Sequence, residues 1–228
     1  MRLMPYLVVV LLFVGCTNNG DVKVNEDPSA DNLFYDYQVM AEEGSDSATV
    51  LLQFRPGSTG GDAVGLADGR VELDGKLLAL DSARNGARFY EAVLPLSGLA
   101  GKHTIAVTSP GGKTHSQPFN FVPFALAGDL AEAIPKQPFA IGLTGLPPGA
   151  LLRVVLTDTS FASPDVNEEL RMADDTLRFT QAMLNAVVAG PVVLHLQAET
   201  ERPRQGNNKR GGRLLMTYSL KREFELVE

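Results

Sequence analysis

Residues 99–107, LAGKHTIAV, and residues 188–196, VAGPVVLHL, decide the fold. Each passes from a corner of small residues through a glycine into a run whose apolar side chains take every second place: Ile105 and Val107 in the first, Val192, Leu194 and Leu196 in the second. A period of two is that of a strand with one buried face. The two stretches lie 89 residues apart, and the same offset sets Val50, Leu52 and Phe54 on Phe139, Ile141 and Leu143. A slip of one residue would turn every side chain to the opposite face. Agreement in register at two separate strands therefore marks a repeated all-β unit.

Working outward, the chain from Leu33 onward offers short apolar or alternating runs, separated by Gly, Pro, Asn and Asp at intervals of roughly ten residues, which is the pattern of a sandwich or barrel. Residues 49–54, 70–73, 77–80, 88–94, 104–107 and 117–122 are the expected strands of a first domain, residues 33–124. Residues 138–143, 151–156, 177–180, 192–198 and 214–226 are those of a second, residues 125–228. Asp74-Gly75 and Asn85-Gly86 are hairpin-turn signals, because both residue pairs tolerate positive φ. Tyr35, Tyr37 and Tyr90 fall within strand patterns and read as core or edge packing.

A Leu-Ala-Gly corner before a penultimate strand, in this order of hairpins, resembles the E to F corner of immunoglobulin-like bacterial surface domains. The resemblance spans residues 33–228 and implies two tandem antiparallel β-sandwiches; a fibronectin-III-like arrangement satisfies the same pattern. The chain departs from the immunoglobulin core in having no Trp and no pair of cysteines.

Its one cysteine, Cys16, follows Arg2 and the apolar run Tyr6–Val14, the n- and h-regions of a signal peptide. That run is well short of the ~20 residues a spanning helix needs. Phe13-Val14-Gly15-Cys16 resembles the lipobox of bacterial lipoproteins, with Phe13 where Leu is usual. The resemblance implies cleavage before Cys16 and its acylation, including palmitate; Thr17 after it matches the outer-membrane sorting pattern of Gram-negative cells. Residues 17–32, rich in Asn and Asp with Gly20, Pro28 and Ser29 among them, read as a disordered tether. Net charge is −7, and removal of Arg2 with the signal makes it −8. An acidic surface speaks against nucleic acid as a partner.

A search for chemistry yields little. His195 alternates out of an apolar run, and His103 and His115 sit about four residues apart along a hairpin, roughly 13 Å at ~3.4 Å per residue, too far to share a metal. No Gly-x-Ser-x-Gly elbow is present, and Gly57-Ser58-Thr59-Gly60-Gly61 lacks the Lys of a phosphate loop. Asp165, Asn167 and Glu169 alternate like the start of a calcium loop, but Leu170 and Thr176 stand where Gly and Glu are required. The acidic segment 158–175 reads as a solvated loop, with a hydrolase built on its carboxylates as a minor alternative. No cofactor is expected.

The clearest departure from the repeat is the last hairpin, where Glu199–Gly212 replaces the compact Ser109–Gly112 turn of the first domain. It carries Arg202, Arg204, Lys209, Arg210 and, at its edge, Arg213. In a sandwich this loop shares one end with Leu146-Pro147-Pro148-Gly149 and with Asp174-Asp175. These basic residues and the two aspartates are the candidate binding surface, and removal of 199–212 is expected to leave the fold intact. The functional expectation is a non-enzymatic, lipid-anchored binding or structural module of the cell envelope, with an envelope protein or glycan as partner. A carbohydrate-binding accessory protein is the alternative.

Overall fold

The computed structural model describes residues 30–66, 68–147, 149–205 and 209–228. The signal peptide, Cys16 and most of the expected tether lie outside the described residues.

In the first sandwich, β1 (Leu33–Glu42), β2 (Ser47–Pro56), β5 (Leu80–Ser82) and β6 (Arg88–Pro95) form one sheet in the order β1-β2-β6-β5. The facing sheet runs β4 (Lys76–Leu77), β3 (Arg70–Leu73), β7 (Gly101–Thr108), β8 (Thr114–Phe121). With β1 as strand A, these are the ABED and C′CFG sheets of the immunoglobulin fold. The alternation read in the sequence sets the buried faces: Val50, Leu52 and Phe54 from β2 meet Val71, Ile105 and Val107 in one core, together with Tyr35, Tyr37 and Tyr90.

The second sandwich pairs β14 (Thr176–Phe179) with β11 (Phe139–Thr144) and β9 (Ala125–Leu126). Its other sheet contains β13 (Val166–Arg171), β12 (Leu151–Asp158), β15 (Gly190–Pro203) and β16 (Gly212–Val227), with β10 (Ala133–Pro135) parallel to the end of β16. The repeat finds its physical basis here: β2 and β11 are both strand B, and β7 and β15 are both strand F. A five-residue helix, Gln181–Asn185, capped by the Thr180 hydroxyl, fills the corner before β15.

Two expectations change. The segment 158–175 is not one solvated loop: Val166–Arg171 forms an edge strand on β12, with Asn167, Glu168 and Glu169 exposed. The last hairpin is not an appended loop either. Its two strands run on without a break past the second sandwich, and β16 pairs in parallel with β1 from Tyr35↔Gly212 to Glu42↔Ser219. Among the described residues, nine strands of both domains thus share one sheet. Deleting 199–212 would remove the end of β15 that pairs with Arg213–Thr217 of β16, together with Gly212, the partner of Tyr35, so it cannot leave the fold untouched. The reason lies in β1, an edge strand of the first domain whose outward N–H and C=O groups need partners.

Candidate functional site: an interdomain clamp and the cleft beside it

The clamp is built from the tip of the hairpin downward. Tyr35 donates its N–H to the Gly211 carbonyl at 3.3 Å, and at the other end of β1 Glu43 donates to the Ser219 carbonyl at 2.8 Å. Gly212 sits where a Cβ would lie 2.5 Å from the Tyr35 carbonyl oxygen, so only a residue without a side chain lets the two backbones close. Around the tip, Lys209 donates its N–H to the Asp31 carbonyl at 2.9 Å, and Gln205 donates to Gln117 Oε1 at 2.6 Å.

The arginines of the candidate surface are divided by this arrangement. Arg204 is 7% exposed, its guanidinium 3.9 Å from the centre of the Tyr35 ring. Tyr35 in turn packs edge-on against Phe54 at 5.0 Å and Tyr37 at 6.0 Å. A desolvated cation over a tyrosine face contributes on the order of 2 kcal/mol. Arg213 donates from Nε to buried Asp36 at 2.8 Å and reaches Glu201 at 3.4 Å, with Arg55 on the far side of Asp36 at 3.8 Å. Arg204 and Arg213 therefore face inward across the domain junction and are not displayed for a partner. Lower down, Lys221 pairs with Glu42 at 2.7 Å and Arg222 holds Glu43 through both terminal nitrogens. Arg210 and the side chain of Lys209 are exposed at the tip.

Asp174 is engaged elsewhere, in a two-point pair with Arg178 at 2.9 and 3.1 Å that holds its carboxyl below the usual range. The Asp175 carbonyl accepts the Leu143 N–H at 2.7 Å, which places this turn at the same end of the sandwich as Leu146. Neither aspartate joins the arginines of the hairpin in a described contact. Arg202 is exposed and faces the Leu146-Pro147 loop across a cleft. Together they line this cleft of about 250 Å³, whose apolar wall comes from Phe121, Val122, Phe124, Met216 and Tyr218. Phe121 and Phe124 of the first domain pack on Tyr218 of β16, with ring centres 6.0 and 5.5 Å apart. A wider cleft of about 540 Å³, lined by Arg171, Glu199, Glu201 and Arg202, continues from it past the start of β12. This junction was hidden from sequence reasoning, because its walls come from four segments far apart in the chain.

The histidines have structural settings. His103 lies between Asp74 Oδ2 and the Leu99 carbonyl, 2.8 Å from each. His115 is buried beside Tyr35 and 3.6 Å from Asp31. Burial first, then Arg204 and Lys113, push the His115 pKa down, against a smaller opposing pull from Asp31. The folded state thus binds this proton less readily than the unfolded chain, so its contribution is complete above the unfolded value of about 6.5 and is lost as pH falls below it. We expect chemical-denaturation stability to decline from pH 7 to pH 5, and the decline to flatten in His115→Gln. An equally steep decline in the variant would assign the effect to other groups.

Among the described residues no cluster of three His, Cys, Asp or Glu is placed to hold a metal, and no helix is long and apolar enough to cross a membrane. The strand order defines the class: a protein of tandem immunoglobulin-like β-sandwiches. No protein-family model matches the chain, and no curated protein matches it. Among solved structures it is similar to the Yersinia pseudotuberculosis adhesin InvE, at 14% identity over 87% of this chain and 59% of that one, TM-score 0.25. It is also similar to DIP-gamma IG1+IG2, at 9% identity over 86% and 98%, TM-score 0.26. A third is a tetra-tandem repeat from the extending region of a large adhesion protein, at 14% identity over 83% and 49%, TM-score 0.25. Likeness at this level adds no weight beyond the topology itself.

Proposed function

We propose that the chain is a lipid-anchored, non-enzymatic binding or structural module of the cell envelope, in which Cys16 carries the acyl chains and the two sandwiches form a stiff arm. One observation supports the arm: the β1–β16 ladder covers almost the whole of β1, so a ladder of hydrogen bonds stands where tandem domains ordinarily have a hinge. Arg202, Lys209 and Arg210 are exposed cations of the hairpin, and the cleft beside Arg202 is the binding surface of this reading. The outer membrane of a Gram-negative cell is the proposed location, after the Thr17 sorting pattern.

A hydrolytic role for segment 158–175 gains no support. Hydrogen bonds, led by that from the Ser160 hydroxyl, lower the Asp158 pKa, and Arg178 lowers that of Asp174. A general acid needs the opposite shift.

Acyl anchoring is tested by growing cells with an alkyne analogue of palmitate. Wild-type protein should carry the label and sediment with membranes, whereas Cys16→Ser should lose the label and sediment less. Label retained in Cys16→Ser would refute the anchor.

A further inference from the structure

Phe161 is 83% exposed and has a φ of +55°, in the loop between β12 and β13. Among the described residues the other non-glycines with positive φ are Asp68 and Asp74, of a type that tolerates this region, whereas a phenylalanine does not. The conformation is held from below. The Asp158 carboxylate accepts the N–H groups of Ser160 at 2.8 Å, Ala162 at 2.8 Å and Ser163 at 3.2 Å, as well as the Ser160 hydroxyl at 2.7 Å. Ser163 Oγ in turn accepts the Val188 N–H at 3.2 Å. A large ring fixed in solvent on a strained backbone is the form of an anchor residue. Its surroundings are acidic: Asp165 follows in the same loop, and Glu132, Glu223 and Glu225 line the shallow cleft at Thr159.

The complement of such an anchor is an apolar pocket with a cation at its rim, and the chain carries one. The junction cleft, at about 250 Å³, exceeds the ~150 Å³ that accepts a benzene ring. Phe121, Val122, Phe124, Met216 and Tyr218 wall it and Arg202 stands on its rim, while the adjoining cleft holds Arg171 with Glu199 and with Glu201, which Arg213 pairs. Phe161 cannot reach the cleft of its own chain. The two lie beyond opposite ends of β12, an eight-residue strand that spans roughly 24 Å.

The geometry points to self-association: Phe161 of one copy enters the junction cleft of a second copy, with the acidic end of one second domain against Arg202 of the other. The contact is heterologous, since knob and pocket are different surfaces, and it repeats along a row of copies instead of closing on a pair. The acidic surroundings of Phe161 disfavour an anionic lipid surface as the occupant.

The test uses the full chain in native membranes, with p-benzoylphenylalanine in place of Phe161. Ultraviolet light should give cross-linked dimers and higher species, with adducts mapped by mass spectrometry to residues 120–124, 145–147, 198–202 or 214–218 of a second copy. Arg202→Glu should lower the cross-linked fraction by about fivefold or more, since it puts like charges in apposition. Because the added benzoyl group is bulky, the pair Phe161→Cys with Val122→Cys is treated in parallel with a short bismaleimide. Val122 is 54% exposed at the cleft. Dimer beyond that of Phe161→Cys alone supports the contact. Absence of dimer in both experiments overturns it, as do adducts confined to lipid, to other proteins or to surfaces outside the cleft.

Discussion

Gly212→Val is expected to separate the two sandwiches without unfolding either core. The new side chain would begin 2.5 Å from the Tyr35 carbonyl oxygen and 2.9 Å from its Cβ, and a backbone atom cannot swing aside as a flexible side chain can. Overpacking of this kind costs about 1–3 kcal/mol. At this position the cheapest relief is to move β16 off β1, which forfeits the parallel ladder and the Arg213–Asp36 pair as well. Calorimetry of the wild type should show one cooperative transition, because the sheet is shared. The variant should show two transitions, the lower one shifted by about 2–4 °C for each kcal/mol lost. A single transition at the wild-type temperature would mean that the ladder contributes nothing to coupling.

Tyr35→Ala is expected to be the most destabilising single substitution at the junction. Tyr35 is fully buried and lies between Phe54, Tyr37 and His115 on one side and the Arg204 guanidinium on the other. Truncation of a buried aromatic to alanine costs about 3–5 kcal/mol through lost transfer energy and the cavity left behind. Here it also removes the ring face beneath the Arg204 guanidinium, so the loss should fall at the upper end of that range. Tyr35→Phe keeps the ring beneath Arg204 and should cost less than about 1 kcal/mol. Urea unfolding of the two variants distinguishes packing from hydroxyl chemistry. Equal losses in both would contradict the role assigned to the ring.

What the sequence made legible follows the range of the interactions involved. Strand β3 was readable to the residue, and β2, β6, β11 and β14 to within two at either end, because a buried face imposes alternation on neighbouring residues. Strand β13 was missed because it is an edge: Val166 and Leu170 turn inward, while Asn167, Glu168 and Glu169 give it the composition of a loop. The acidic stretch could therefore pass for solvated chain. The clamp was missed for a different reason. Asp36 and Arg213 are 177 residues apart, and a parallel ladder between strands of two domains leaves no local trace. One signal did exist. Leu214, Met216, Tyr218, Leu220, Phe224 and Leu226 belong to a strand of 16 residues, about 50 Å of chain, where about five or six are usual. Such length exceeds what one sandwich can pair, and the surplus had to find an edge elsewhere. The arginines of the hairpin were correctly singled out as unusual in an acidic chain, but composition could not separate Arg202, at the cleft, from Arg204, stacked beneath the tip.

Asp36 shows why the clamp favours one arrangement and not merely adhesion. Its carboxylate is 2% exposed and is met by Arg213 of the second domain and Arg55 of the first. A shift of β16 by one residue along β1 would turn Arg213 to the opposite face and leave that charge short of a partner, so the ion pair fixes register. The domains are consequently set at one defined offset, which places the junction cleft and the Phe161 loop at opposite ends of the second sandwich.

The central claim, that β16 completes the sheet of the first domain, is tested most directly by amide hydrogen exchange on β1. The N–H groups of Tyr35 and Glu43 point outward from the first sandwich and are bonded only across the junction, to Gly211 and Ser219. If the nine-stranded sheet exists in solution, both amides should exchange as slowly as those within the β1–β2 ladder, and both should become fast in Gly212→Val while the β1–β2 amides stay protected. Rapid exchange of Tyr35 and Glu43 in the wild type, at the rate of an open strand edge, would contradict the claim.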